Sequence, residues 1–340
     1  MPPEAGKPRL VLAGDVGGTH ARLALFEAGA GAPRQAAVEI LPSRDFASFD
    51  DALRRFRELH PEPVAAACVG IAGPVVRGRV SAPNLPWTLD AARVAAQLGL
   101  ARAELINDLE ANAYGIAALG PEEFAVLRAG EADPEGGGAL ISAGTGLGEA
   151  GLRPGRDGFL PIRGEGGHAD FAPQGALQIE LLEFLAKEFG HVSWERVLSG
   201  PGLHNVYRFL RDTGRGAEPA WLAEELRAGD PAASIARAAE DGRSELCDAA
   251  LELFVSLYGA EAGNLALKFL ATGGVYLGGG IAPRLLERLR RPAFLTAFSA
   301  KGRLSAILEK IPVRVIRADR AALLGAARRA AALLQSAFGA

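Results

Sequence analysis

The chain has 340 residues, 49% hydrophobic and 23% charged, with a formal net charge of −3. That apolar share excludes a disordered chain, and the absence of a basic stripe disfavours a nucleic-acid or anionic-membrane partner. Cys68 and Cys247 stand far apart with no CxxC or Cys/His cluster, so neither a disulfide framework nor a thiolate zinc site is expected, and a reducing cytoplasm fits.

Length argues for two domains. Glycine is in surplus, 43 residues or about 13% against about 7% in average proteins, without the G-X-Y period of collagen. Such glycines mark tight turns or close backbone approach to a ligand. The opening MPPEAGKPRL has no apolar core segment, so no signal peptide is expected. The longest apolar stretch, around Val64 to Val76, contains Gly and Pro and is too short to span a bilayer.

In chain order, the apolar run Leu10–Ala13 enters Gly14-Asp15-Val16-Gly17-Gly18-Thr19 and is followed by a second strand-like run, Ala21–Phe26. This reads as a β-hairpin with a Gly-rich turn. Phe46, Phe49, Leu53 and Phe56 recur at helical spacing. Val64–Ile71 reads as a buried strand broken by Gly73-Pro74, Glu104–Ile106 as a short strand ending in Asn107-Asp108, and Asn112–Leu119 as helix. After loop-like Asp133–Gly138, a strand from Ala139 runs into Gly144-Thr145-Gly146-Leu147-Gly148 and a further short strand. That repeats the opening arrangement and suggests two similar α/β units with a break near Gly120-Pro121. The rest reads mostly as helix: Ala176–Phe189, Ser193–Val197, Leu203–Arg211, Pro231–Leu270, Pro283–Leu289 and Ala321–Leu334. Strand-like Gly274–Leu277 and Val313–Ile316 interrupt it.

Three phosphate-binding signatures are relevant. GxxxxGK[ST] is absent, and Gly146–Gly151 matches GxGxxG but precedes a strand where a dinucleotide fold needs a helix. The third is a pair of glycine turns whose backbone N–H groups cradle anions, with Asp15 orienting Mg²⁺ through water. Each turn alone is equally a tight hairpin; two matched turns plus Gly278-Gly279-Gly280 after a strand favour the phosphate reading. About half of the glycines fall in six clusters, and those around 14–18, 136–148 and 273–280 are assigned to nucleotide loops. Two further clusters lie at 164–167 and 200–202, and the one around Gly73-Pro74 has no assignment.

These residues resemble the bacterial-type glucokinases, within the sugar kinase/actin/Hsp70 superfamily. The resemblance covers nearly the whole chain. It rests on Gly14–Thr19, Gly144–Gly148, Leu277–Arg284, Ile106-Asn107-Asp108, Leu160–His168 and His191–Gly202, the last two being the most specific. His20 stands where many relatives carry Asn, and Ala321–Gly325 matches the family only partly.

The resemblance implies an α/β, two-lobed actin-like ATPase (ribonuclease H-like) fold. A cleft would separate a small α/β domain, 1–119 plus 318–340, from a larger α+β domain, 120–317. It implies a cytoplasmic homodimer that transfers the γ-phosphate of ATP to the 6-hydroxyl of D-glucose with Mg²⁺. ATP would lie on Gly14, Asp15, Val16, Gly17, Gly18, Thr19, Gly144, Thr145, Gly146, Gly279 and Gly280, with Asp15 reaching Mg²⁺ through water. Asp108 is the candidate catalytic base for the hydroxyl proton, although alone it reads as a helix cap. Asn107 and Asp108 would bind the far hydroxyls, and Glu165, His168 and Glu195 the 1- to 3-hydroxyl side. Asn84 is a further sugar-loop candidate. The alternatives are a related hexose or amino-sugar kinase and a non-catalytic sugar sensor.

Overall fold

Strand β1 (Arg9–Val16) is an almost unbroken apolar run because both of its faces are covered. The computed structural model describes residues 9–29, 33–82, 85–156 and 158–336; Asn84 lies outside them. The chain divides into two compact units. One holds the described residues up to Pro121, Gly155–Pro161 and those from Ala318 onward; the other holds Glu122–Pro154 and Ile162–Arg317.

In the first unit, β2 (His20–Ala28) and β3 (Arg34–Pro42) fold back antiparallel from β1. Helix α1 (Phe49–Leu59) leads to β4 (Ala66–Ile71), parallel to β1. A small hairpin, β5 (Arg79–Ser81) and β6 (Thr88–Asp90), and α2 (Ala91–Leu98) precede β7 (Glu104–Asn107), which runs directly into α3 (Asp108–Ile116). The sheet order is β3-β2-β1-β4-β7. Strand alternation sends Leu12 and Val16 to one face with Phe49, Leu53, Phe56 and Trp87, and Val11 and Ala13 to the other with Phe26, Cys68 and Ile106. The Ser48 side chain accepts from the Asp51 N–H, so α1 starts at Phe49 and Phe46 stays in the preceding loop.

In the second unit, β8 (Phe124–Arg128), β9 (Gly138–Ala143) and β10 (Leu147–Gly155) are followed, after β11 (Gly158–Ile162), whose residues up to Pro161 count with the first unit, by helices α4 (Gly175–Phe189), α5 (Gly200–Asp212), α6 (Ala220–Ala228), α7 (Pro231–Glu240) and α8 (Glu245–Phe269). Then come β12 (Gly274–Gly278), α9 (Ile281–Arg284), α10 (Leu286–Leu289), α11 (Pro292–Ser299), α12 (Ser305–Leu308) and β13 (Val313–Ile316). The sheet order is β11-β10-β9-β12-β13-β8. An antiparallel β9–β10 hairpin with β12 and β13 parallel beside it repeats the plan of the first sheet, as the duplicated strand–turn–strand pattern suggested. Helix α8 is apolar nearly all round and lies buried in the core.

The single helical stretch expected over Pro231–Leu270 is two helices. Asp230 and Ser244 each cap a new start, and Gly242 at φ 65° ends the first. Elements β3, β5, β6, α2, β8, β11, α6, α11 and α12 had no counterpart in the sequence reading. The glycines around 136–138 and 273–274 also need correction as nucleotide loops. They lie where β9 and β12 begin, at the opposite end of β9 from Gly144. There the Gly273 N–H donates to the Gly137 carbonyl at 2.7 Å, and a Cβ on Gly273 would stand 2.6 Å from the Gly136 carbonyl. These glycines serve strand packing.

The last helix, α13 (Ala321–Ser336), belongs to the first unit and seats Ala322, Leu323, Ala326, Ala327 and Ala330 in the same core as Val11 and Ala13. Among the described residues no helix is long and apolar enough to cross a membrane.

Candidate functional site

In the first unit, β1 continues through Val16, so Gly14, Asp15 and Val16 are strand residues and the turn proper is Gly17–Thr19. Gly14 is buried, and a Cβ there would stand 2.9 Å from Val69 Cγ1; its lack of a side chain serves packing against β4. The turn closes through the Gly17 N–H to the His20 carbonyl. Ser43, buried just after β3, clamps it: its N–H donates to the Thr19 carbonyl at 2.9 Å and its Oγ to the Gly17 carbonyl at 3.2 Å. Gly18, Thr19 and His20 are exposed at the tip.

Asp15 is pushed up to about 6, chiefly by burial. Arg22, 3.8 Å away, counteracts this, while the charges of Asp108 and Asp319 add to it. Arg22 itself donates to the Asp319 backbone carbonyl at 2.7 Å and to its carboxylate. Among the described residues no three His, Cys, Asp or Glu side chains are grouped to hold a metal by themselves. With one strand carboxylate reaching it, the donor set fits a Mg²⁺ held mostly by phosphates and water. Arg22 and Asp319 went unread in sequence; the only signal was a charged residue inside the apolar run Ala21–Phe26.

At the junction of β7 and α3 the Leu109 N–H is shared by Asn107 Oδ1 and Asp108 Oδ1, the latter at 2.9 Å, and Asn107 is the N-cap residue. Its Oδ1 accepts from the Leu109 N–H at 2.8 Å, and Glu110 Oε2 accepts from the Asn107 N–H at 3.1 Å, a capping box. Asp108 is therefore the first helical residue, where the helix dipole favours its negative charge. Asn107 Nδ2 donates to the Gly73 carbonyl at 3.1 Å, which gives the unassigned Gly73-Pro74 cluster a role. Gly73 takes φ 106°, a conformation suited to glycine. The capping bonds occupy Asn107 Oδ1 with the protein's own backbone.

In the second unit, the Gly144–Gly146 turn joins β9 to β10, and its Gly144 carbonyl accepts from the Gly200 N–H at the start of α5. Glu195 reaches the same turn: its Oε2 accepts from the Leu147 N–H at 2.9 Å and lies so close to Gly146 that a Cβ there would meet it at 2.7 Å. Gly279, at φ 77°, leaves no room for a Cβ beside the Ala143 carbonyl, so the turn after β12 packs on the end of β9. Gly280 follows it at the start of α9.

The segment Gly164–His168 lies on β10 and ends in a short 3₁₀ turn, Gly166–His168, with Glu165 just before it. A Cβ on Gly167 would stand 2.1 Å from the Leu147 carbonyl, and one on Gly166 2.2 Å from Glu149 Oε2. Glu165 and His168 are exposed on this segment. The Trp194 N–H donates to the Ala169 carbonyl and the Phe171 N–H to the Val192 carbonyl, stitching it to the Trp194–Arg196 turn that carries Glu195. Phe171 and Trp194 pack edge to face beneath, 5.0 Å apart. Glu165, His168, Glu195 and Gly144–Gly146 thus gather around β10 in the second unit, and Asp15, Asn107 and Asp108 in the first.

A family model described as Glucokinase matches residues 12–333. A glucokinase of Synechocystis sp. is 41% identical over 341 residues, covering 93% of this chain and 96% of that one. A crystal structure of a glucokinase from an Antarctic psychrotroph superposes with a TM-score of 0.84 at 34% identity, over 95% of this chain and 99% of that one. A glucokinase of the ROK family from Streptomyces griseus, solved with glucose and AMPPNP, shares the fold at 23% identity and TM-score 0.61, over 94% and 99% of the two chains. The fold is the actin-like ATPase fold that the sequence implied.

Proposed function

The chain belongs to the glucokinase family, and from that premise we propose that it transfers the γ-phosphate of ATP to the 6-hydroxyl of D-glucose, giving glucose 6-phosphate and ADP. The observation that carries this reading is the bond between Glu195 and the Gly144–Gly146 turn. That bond joins Glu195 to the turn, and in this proposal Glu195 serves the sugar while the turn cradles phosphate.

Asp108 accepts the 6-hydroxyl proton as the oxygen attacks phosphorus, while Asn107 fixes the helix start that carries it. Glu165, His168 and Glu195 hold the 1- to 3-hydroxyl side. A site built of such acceptors rejects analogues lacking a hydroxyl by ~10⁴–10⁵-fold. Backbone N–H groups of the turns around Gly17–Thr19, Gly144–Gly146 and Gly279-Gly280 cradle the phosphates. Asp15 would hold Mg²⁺ through water, and the ion, when bound, neutralises charge on the phosphate oxygens. In this reading 1–119 with 318–340 form a small domain and 120–317 a large one. The enzyme serves glycolysis in the cytoplasm as a homodimer, which light scattering on the purified protein tests.

A coupled assay for sugar-dependent ADP release tests the activity across glucose, mannose, fructose and N-acetylglucosamine. Glucose gives the highest kcat/KM. Preference for another sugar would make the chain a related hexose or amino-sugar kinase, and binding without turnover a sensor.

Glu195→Ala removes a charged acceptor from the Leu147 N–H, a bond worth about 1.5–3 kcal/mol. KM for glucose and KM for ATP therefore both rise, each by roughly tenfold or more. A change confined to glucose would show that the brace on the phosphate turn is idle.

A further inference from the structure

Glu149 and Glu261 are two carboxyl groups buried in the second unit that the proposed reaction does not use, at 2% and 0% exposure. Glu149 sits on β10; Glu261 lies on α8, within hydrogen-bonding reach. Neither oxygen of Glu149 meets a donor among the described residues. Glu261, in contrast, accepts from Asn264 Nδ2 at 2.8 Å and Lys268 Nζ at 3.2 Å. Lys301 completes the cluster, donating to Asn264 Oδ1 and to the Ala260 carbonyl.

Two ionised carboxylates cannot share a dry site. The donors around Glu261 stabilise its negative charge, and Glu149 has none, so the proton resides on Glu149 and is donated to Glu261. Burial first and the Glu261 charge second push Glu149 up to about 8. The other titratable or charged groups facing it are Lys268 and Tyr258 on α8, with Glu165 and His168 carried on the turn above.

That turn rests directly on Glu149. With the place of a Gly166 Cβ 2.2 Å from Glu149 Oε2, nothing fits between them. An ionised Glu149 would draw in water and be repelled by Glu261, lifting the turn from β10.

Resting on the glucokinase reading, we propose that Glu149 is a positioning residue: as a neutral acid bonded to Glu261, it supports the Gly164–His168 turn and so sets Glu165 and His168 for the sugar. Misplacing binding groups by about 1 Å costs up to 10²-fold in rate or affinity.

The test compares wild type, Glu149→Gln and Glu149→Val for glucose binding by calorimetry and for kcat and KM between pH 6.5 and 9.5. In wild type the Kd for glucose is flat to about pH 8, then rises roughly tenfold per pH unit as one proton is lost. Glu149→Gln, whose amide donates to Glu261 at any pH, binds as wild type at pH 7 and shows no such rise. Glu149→Val raises KM for glucose about tenfold at pH 7 while kcat stays within about threefold. Identical pH profiles for wild type and Glu149→Gln would overturn the proposal, as would a lowered Tm with unchanged KM in Glu149→Val. Weak binding by Glu149→Gln at pH 7 would also overturn it, because the carboxylate would then be needed ionised, as for a bound cation.

Melting without sugar separates this proposal from the glucokinase reading. A carboxyl raised in the folded state adds stability at low pH that drains away as pH climbs from the ordinary glutamate range to about 8. Glu149→Gln lacks that decline and melts above wild type at pH 7. If wild type turns over no sugar but this melting difference is present, the shared proton stands and the activity assignment fails. If turnover is normal and the difference is absent, the proposal fails alone.

Discussion

Replacing Asp108 with alanine lowers kcat for glucose by about 10²–10⁴-fold, the usual loss when a positioned general base is removed. Glucose still binds, more weakly by roughly tenfold, because one acceptor among several is lost. Stability changes little: the Leu109 N–H that Asp108 Oδ1 accepts keeps its bond to Asn107, the capping box belongs to Asn107 and Glu110, and an acid at the first helical position contributes only about 0.3–1 kcal/mol. Asp108→Asn keeps the shape and a hydrogen-bonding oxygen but cannot take the proton, so its kcat falls as far while its KM stays near wild type. Coupled-assay kinetics beside calorimetric glucose binding read both variants. Near-normal turnover in Asp108→Ala would falsify the base assignment.

Gly325→Val unfolds the first unit more than any surface change, and it reaches the same carboxylate through the backbone. A Cβ at Gly325 would stand 1.7 Å from the Ala111 carbonyl oxygen and 2.7 Å from the Gly115 nitrogen. Reciprocally, one at Gly115 would stand 2.0 Å from the Ala321 carbonyl. Helices α3 and α13 thus meet backbone to backbone, and no rotamer change relieves an added side chain. Forcing them apart strips Ala322, Leu323, Ala326 and Ala327 from their core, so the cost lies at or above the upper end of the usual overpacking range, about 3 kcal/mol. Tm falls by roughly 5–10 °C. Because α3 begins at Asp108, kcat falls as well at temperatures where the protein stays folded. A Tm within about 1 °C of wild type would show that the two helices separate without loss.

The residues of the candidate site were legible where the demand on the chain is local. Gly17-Gly18-Thr19 and Gly144-Thr145-Gly146 announce hairpin turns because a tight reversal needs glycine at the turn itself. Asn107-Asp108 stands out as a polar pair closing an apolar strand, though which of the two caps the helix depended on the Glu110 bond and the Gly73 carbonyl. Ser43 and the Arg22–Asp319 contact stayed hidden, since the partners are 26 and 297 residues apart.

Edge strands were the weakest part of the fold reading. β3 and β8 leave Val38, Ile40 and Val126 exposed, so neither shows the buried run that identified β1 and β4. The α7–α8 break was missed although Asp241-Gly242-Arg243-Ser244 carries it locally: Gly242 ends α7 in the left-handed region and Ser244 caps α8.

By itself, the sequence determined the duplicated strand–turn–strand plan and the glycine turns, because each is written in neighbouring residues. What a given glycine is for was decided only by tertiary structure. Gly146 makes room for Glu195, Gly166 for Glu149 and Gly325 for another helix, while Gly136 and Gly273 pack two strands at their starts. A missing Cβ looks the same in a sequence whether it admits a ligand, a carboxylate or a backbone, since the atoms that approach come from distant parts of the chain. The same holds for Glu149 and Glu261. A glutamate ordinarily reads as surface, and only the packing of β10 on α8 removes both from water and leaves one of them holding a proton.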